Sequence, residues 1–379
     1  MALVLNEEQR LLKDTAKDFL SENMPVEALR TLRDSDDPTG YSQQQWQQMC
    51  ELGWASIVLP EQYDGLDFGF MGLGAIIEES GRTLAASPLL STVVLGASAI
   101  LLGGNEEQKS SLLPKIASGE LTLALALEEG HHHAPLDTAM AAEAHDGGFR
   151  LNGNKSFVVD GHSADKLVVV ARTSGTAGSA DGLSLFLVDG DAKGLTRQRR
   201  KMVDSRGAAA LSFDNVDVSA DALIGELGQA WPVLEAVLDR GRVCLAAEML
   251  GGALECFERT VEYLKERDQF GVKIGSFQAL QHRASLMYIE LELAKSVLFD
   301  AFSAIDDKRA DLPQLASLAK ARMNDVFELV TNEAVQMHGG IGVTDELEIG
   351  FFLKRSRVAT QLLGHSGFHR DRYASLCGY

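Results

Sequence analysis

The periodicity of this chain changes twice, and that double change restricts its fold more than any other feature. From Asn6 apolar residues recur at helical spacing: Asn6 can cap, Glu7 and Glu8 suit the positive helix end, and Leu11, Leu12, Thr15, Ala16, Phe19 and Leu20 are expected on one side. Helices continue to about Gly119, with breaks expected at Pro25, residues 37–40, residues 60–72 and Pro114. After Leu121 β-branched runs take over, as in Phe157-Val158-Val159, Leu167-Val168-Val169-Val170 and residues 183–188. His145-Asp146-Gly147-Gly148 and Asn152-Gly153-Asn154 read as turns between adjacent antiparallel strands. Long helical stretches return near Trp231, with Leu234, Val237, Leu238, Cys244, Leu245 and Met249 in register, and extend through residues 312–337. This order implies an α+β multidomain chain: an N-terminal helical domain over 1–120, a middle antiparallel β domain over 121–227 and a C-terminal helical bundle over 228–379.

A chain of 379 residues that is 45% hydrophobic can bury a large core. Its 54 acidic and 35 basic side chains give a net charge of −19, a field that repels nucleic-acid phosphates and anionic membranes. An anionic cofactor must therefore be met locally, by a few arginines and backbone amides. The apolar run 87–104 falls short of a membrane span and contains Ser91, Thr92, Gly96 and Ser98, so a buried core helix is expected. Cys50, Cys244, Cys256 and Cys377 form no CxxC pair, and no secretory signal is visible; a reduced, cytoplasmic setting is expected.

Two segments carry the candidate chemistry. Arg267-Asp268-Gln269-Phe270-Gly271, followed by Ile274-Gly275-Ser276-Phe277-Gln278, ends one helix and starts the next; the other is Gln336-Met337-His338-Gly339-Gly340-Ile341-Gly342. Each sets polar side chains beside glycine-rich backbone that a phosphate or planar ring can approach, and helix-capping glycines are the plainer structural reading. Arg267 offers a planar fork suited to pyrophosphate, and Gln278 and Gln336 offer amides.

Both segments, their order and the α-β-α plan resemble the acyl-CoA dehydrogenase family over essentially the whole chain. The resemblance implies a C-terminal four-helix bundle that assembles into dimers and tetramers, bound FAD, and removal of hydrogens from Cα and Cβ of an acyl-CoA substrate. In that chemistry a carboxylate takes the α-proton while hydride leaves for the flavin. By the resemblance, Arg267, Phe270, Gln278, Gln336, Gly339 and Gly340 fall among the residues that reach the ADP part of a neighbour's FAD.

The flavin half departs from the pattern. Where the family has Thr-Glu-Pro this chain has Glu128-Glu129-Gly130, then His131-His132-His133; where Trp-Ile-Thr follows a lysine it has Lys155-Ser156-Phe157-Val158-Val159. The two positions that carry the family's catalytic glutamate fall on Leu363 and Gly241, so no catalytic residue is assigned. These departures match the degenerate subunit of bacterial heteromeric members, with a glutamate-bearing paralogue as partner and electron-transferring flavoprotein as acceptor of the assembly. Two alternatives stay open: a self-sufficient enzyme with a relocated base such as Glu248 or Glu129, and a flavin-free scaffold. His131-His132-His133 lacks acidic or cysteine partners at ligand spacing, so no metal is assigned. His338 is read as helix-end packing, and the run Arg197, Arg199, Arg200, Lys201 as a solvated strand edge or a CoA phosphate contact.

Overall fold

The computed structural model describes residues 4–379. Their contacts group into two compact units: residues up to 31, 70–85 and 242–379 form one, residues 32–69 and 86–241 the other. Six α-helices precede the sheet: α1 (Glu7–Asn23), α2 (Val26–Ser35), α3 (Gln43–Glu51), α4 (Phe70–Arg82), α5 (Ser98–Gly103) and α6 (Glu106–Ala117). The Asn6 carboxamide accepts from the Gln9 amide at 2.8 Å and Gln9 returns the bond at 3.0 Å, a capping box that starts α1. The buried stripe is narrower than expected. Ala16 and Leu20 are covered, whereas Leu11 is 68% exposed: it lies five residues before Ala16, off the stripe on a helix of about 3.6 residues per turn. Pro114 does not break α6; buried Leu112, Leu113 and Ile116 carry the helix past it to Ala117.

In the second unit the apolar run forms a wide π-helical segment, Leu89–Ala97, that continues into α5. Its polar residues are satisfied internally. The Thr92 hydroxyl donates to the Leu123 carbonyl at 3.2 Å and accepts from the Leu123 amide at 3.0 Å. No helix among the described residues is long and apolar enough to cross a membrane.

The strands are β1 (Leu123–Ala126), β2 (Ala141–His145), β3 (Gly148–Val159), β4 (Lys166–Arg172), β5 (Leu183–Asp189), β6 (Leu195–Lys201), β7 (Gly207–Ser219) and β8 (Leu223–Ile224). They run in the order β6-β7-β3-β2-β4-β5-β8, with β1 beside β4. The expected antiparallel pairing holds except at β4, which meets β1 and β2 in parallel and makes the sheet mixed. Leu151, Leu167, Val169, Phe186, Leu211 and Phe213 fill its core. His145–Gly148 is a hairpin turn, as its sequence predicts. Asn152-Gly153-Asn154 is not a turn: it lies inside β3, where the register slips beside Gly153 at φ +145°. A side chain there would meet Met140, and the extra residue of β7 is absorbed as a bulge because the Asn152 side chain caps the Asn215 amide at 2.8 Å.

In the first unit α1 and α4 join the later helices: α7 (Trp231–Glu266, contributing from Arg242), α8 (Gln278–Asp306), α9 (Leu312–His338), α10 (Ile349–Ala359) and α11 (Ser366–Leu376). Helix α4 is capped from a distance, the Asp306 carboxylate accepting from the Phe70 and Met71 amides at 2.6 and 2.9 Å. Its backbone also touches that of α7. A Cβ on Gly251 would fall 1.7 Å from the Glu78 carbonyl oxygen, and one on Gly81 2.0 Å from that of Glu248. Gly251→Ala should therefore force the helices apart and cost about 1–3 kcal/mol; an unchanged urea midpoint would contradict this close crossing.

Candidate functional site

The chain leaves α7 through a two-strand hairpin, β9 (Asp268–Gln269) and β10 (Val272–Lys273), whose tip is Phe270-Gly271 at φ +55° and +79°. Two successive positive-φ residues are the geometry a two-residue hairpin requires. Glycine adopts it freely, but a bulky residue there is an outlier. Phe270 is also 91% exposed, its ring meeting only the edge-on Phe277 ring at 6.2 Å among the described residues, so both its backbone and its ring are placed at a cost. The Arg267 backbone is fixed at both ends, by Tyr263 and by Ile274 at 2.9 Å each. Its exposed guanidinium has no partner among the described residues, and the Gln278 amide, on the first residue of α8, is equally free.

The second segment ends α9. Tyr263 joins the two: its ring stacks on His338 at 4.4 Å and its hydroxyl reaches the His338 carbonyl at 3.5 Å. The ends of α7 and α9 are thereby brought together. Gln336 is exposed on the last turn of α9, and Gly339 follows at φ +63°. A Cβ at Gly340 would meet nothing within 4 Å, so internal packing does not require glycine there. Exposed donors, an exposed aromatic ring and open backbone suit a planar, anionic dinucleotide such as FAD.

The loop after β1 lies in the other unit and is turned in on itself. The Glu129 carboxylate accepts from the Ala139 and Met140 amides at 2.9 and 3.0 Å and from the Lys155 ammonium at 2.7 Å. Glu128 takes the Ala134 amide and the His133 ring, while His131 and His132 are exposed. The loop's own carboxylates thus occupy three of its amides. Within a second slip in β3, Phe157 stands at φ +51°, 41% exposed, and Val159 supplies no polar side chain. This face does not suit the polar edge of a flavin. The basic run occupies edge strand β6 and serves the fold: Arg197 donates to the Ala164 carbonyl, Arg199 to that of Asp37, and Lys201 pairs with Asp36, leaving Arg200 exposed.

Leu363, to which the resemblance assigns the first base position, adopts φ +57°, and its carbonyl accepts from His369 Nε2 at 3.0 Å and Arg242 Nε at 3.4 Å. The Gly364 carbonyl accepts from Lys320 and Asn324, both at 3.2 Å. Lys320 is completely buried with no carboxylate in ion-pair reach among the described residues; burial, then Arg242 and Arg355, hold its proton affinity well below the usual lysine value. Gly241, to which the resemblance assigns the second base position, lies buried within α7. Glu248 is committed to Arg355 through bonds of 2.8 and 3.0 Å. Lys320, Tyr263 and the Lys155–Glu129 pair escaped the sequence reading. Lys320 alone had a legible signal, a charge on the helical face of Ala316 and Asn324.

Family models for the acyl-CoA dehydrogenase N-terminal, middle and C-terminal domains match residues 6–120, 127–216 and 228–375. The chain belongs to the acyl-CoA dehydrogenase family, the FAD-dependent oxidoreductases that act on the CH–CH group of acyl-CoA thioesters. It is 27% identical to the short/branched chain specific acyl-CoA dehydrogenase of Bos taurus mitochondria, over 97% of this chain and 85% of that one. It is 29% identical to the isovaleryl-CoA dehydrogenase of Solanum tuberosum mitochondria, over 94% and 87%. Among solved structures, a variant of the Tcur3481-Tcur3483 steroid ACAD is 31% identical, covers 98% of each chain and superposes with a TM-score of 0.88.

Lys155 makes the second unit pH-sensitive. Burial pushes its pKa down to about 8, against the opposing pull of Glu129. The unfolded chain binds this proton up to the ordinary lysine range and the folded chain only to about 8, so between these values stability rises with pH. Wild type should gain urea stability over Lys155→Met from pH 8 to 10; a difference that is flat or falls would show the ammonium to be better held than its burial implies.

Proposed function

We propose that this chain is the non-catalytic subunit of a heteromeric FAD-dependent acyl-CoA dehydrogenase, supplying the ADP-side contacts to a cofactor whose flavin ring is handled by a glutamate-bearing paralogue. One observation carries the reading. The Arg267, Gln278 and Gln336 side chains stand exposed with no partner among the described residues, while both positions to which the resemblance assigns the base hold groups that cannot take a proton. Arg267 would pair with the pyrophosphate, Gln278 and Gln336 would bond ribose or phosphate oxygens, Phe270 would pack on the nucleotide, and Gly339 and Gly340 would admit it against bare backbone. When bound, FAD supplies the hydride acceptor; the paralogue supplies the carboxylate that removes the α-proton from the acyl-CoA. Electron-transferring flavoprotein would then reoxidise the assembly.

The outer face of α8 supports a partner. Leu286, Ile289 and Leu293, at helical spacing, are 49%, 53% and 53% exposed, with Tyr288 beside them at 54%, an apolar stripe that the chain leaves uncovered. Similarity to the two-component name Tcur3481-Tcur3483 agrees with such an assembly and suggests a bulky, steroid-like acyl group.

A self-sufficient enzyme would need a free carboxylate, but Glu248 is held by Arg355 and Glu129 by Lys155. A flavin-free scaffold would leave the strained Phe270 tip without a use. The purified chain alone should give no acyl-CoA-dependent dye reduction above background. Saturable turnover abolished by Glu248→Gln would transfer the assignment to the self-sufficient enzyme.

A further inference from the structure

A cavity of about 480 Å³ opens within the first unit, walled by α1, α4 and α7, and none of the residues of the two glycine-rich segments lines it. That volume lies in the range that holds small molecules. Its wall is charged but unevenly matched. Lys13 donates to Glu78 at 2.6 Å, Arg82 donates to Glu258 at 2.9 and 3.0 Å and to Glu255 at 3.3 Å, and Arg259 is taken by Glu255 and Glu348. These cations are thus committed to other carboxylates. Glu79, the least exposed charged residue of the wall at 4%, is left with Lys13 Nζ and Arg82 Nε at 3.6 Å each, which is charge contact without a hydrogen bond. Burial accordingly raises its pKa above the ordinary glutamate value, against the pull of Lys13 and Arg82. Four residues on, Thr83 lines the same cavity, and its hydroxyl has no partner among the described residues. A buried carboxylate short of donors, beside an unsatisfied hydroxyl, calls for N–H groups from outside.

We infer that this cavity binds a small organic cation, an ammonium on a short aliphatic chain, whose N–H groups meet the Glu79 carboxylate and the Thr83 hydroxyl. Pro25 and Val26 give the chain an aliphatic wall. A metal ion suits the place less well, since no group of three or more acidic, histidine or cysteine side chains able to hold one occurs among the described residues. An anion would have to approach Glu79 while the nearest guanidinium groups are already engaged. The inference stands apart from the ADP-side assignment and does not depend on it.

The test is calorimetry on the purified full-length chain with three probes of one shape: butylammonium, butan-1-ol and butyrate. Wild type should bind butylammonium at least about tenfold more tightly than either of the others. Glu79→Gln, which removes the charge and keeps the shape, should weaken butylammonium about tenfold or more, and Thr83→Val about two- to tenfold. Asp14→Asn, at an exposed position on the same wall, should change it less than about twofold, which separates a seated ammonium from general attraction to an acidic surface. Should Glu79→Gln fail to fold, Thr83→Val decides, with its urea midpoint as the control. Wild type that binds no butylammonium, butyrate or butan-1-ol binding as tightly, Thr83→Val without effect, or equal losses in Asp14→Asn and Glu79→Gln would overturn the inference.

Discussion

Lys320, buried with no carboxylate in ion-pair reach among the described residues, organises the turn that follows α10. Lys320 donates to the Asn324 side chain at 2.6 Å and to the carbonyls of Ala359 and Gly364 at 2.9 and 3.2 Å. Three acceptors around one nitrogen recover part of the hydration lost on burial, and they tie α9 to the turn after α10. With Arg242 and His369 on the preceding carbonyl, they hold Leu363 in a left-handed conformation that leucine does not choose. A strained turn persists only where its surroundings over-determine it, and here they do. The turn keeps its shape although the side chain it presents is aliphatic.

A contrast appears between the two faces that would meet a cofactor. At the ends of α7 and α9 the backbone is pinned while side chains are left idle, so the groups available to a ligand are prepaid in order and unspent in bonding. In the loop after β1 the reverse holds: Glu128 and Glu129 consume amides and a lysine, and Val159 ends the strand without a donor. One face has spare hydrogen-bonding capacity, the other has turned its own inward. A division of labour between unlike subunits accounts for both at once.

Much of this was legible in the sequence, for identifiable reasons. Helical periodicity placed α1 and the long C-terminal helices, the β-branched runs placed β4 and β5, and Asn6 announced the first cap. The failures came where a local signal met a distant partner. Asn152-Gly153-Asn154 has the composition of a turn but runs through β3 opposite a bulge in β7, because β7 pairs on both sides of it. Pro114 is carried inside α6 by neighbours that bury, and α4 is capped by Asp306, which no local window contains. At the site, Arg267, Gln278, Gln336 and the glycines were readable as motif. The stack of Tyr263 on His338 that unites the two motifs depends on helices far apart in sequence.

The central claim is that one complete cofactor site forms per pair of unlike subunits, from this chain's ADP-side face and a paralogue's flavin-side face. Native mass spectrometry of the complex co-expressed with a glutamate-bearing paralogue, combined with flavin quantification, measures it directly. The account predicts a heterotetramer with one FAD for each pair of unlike chains. A homotetramer of this chain carrying a full FAD per subunit would contradict it.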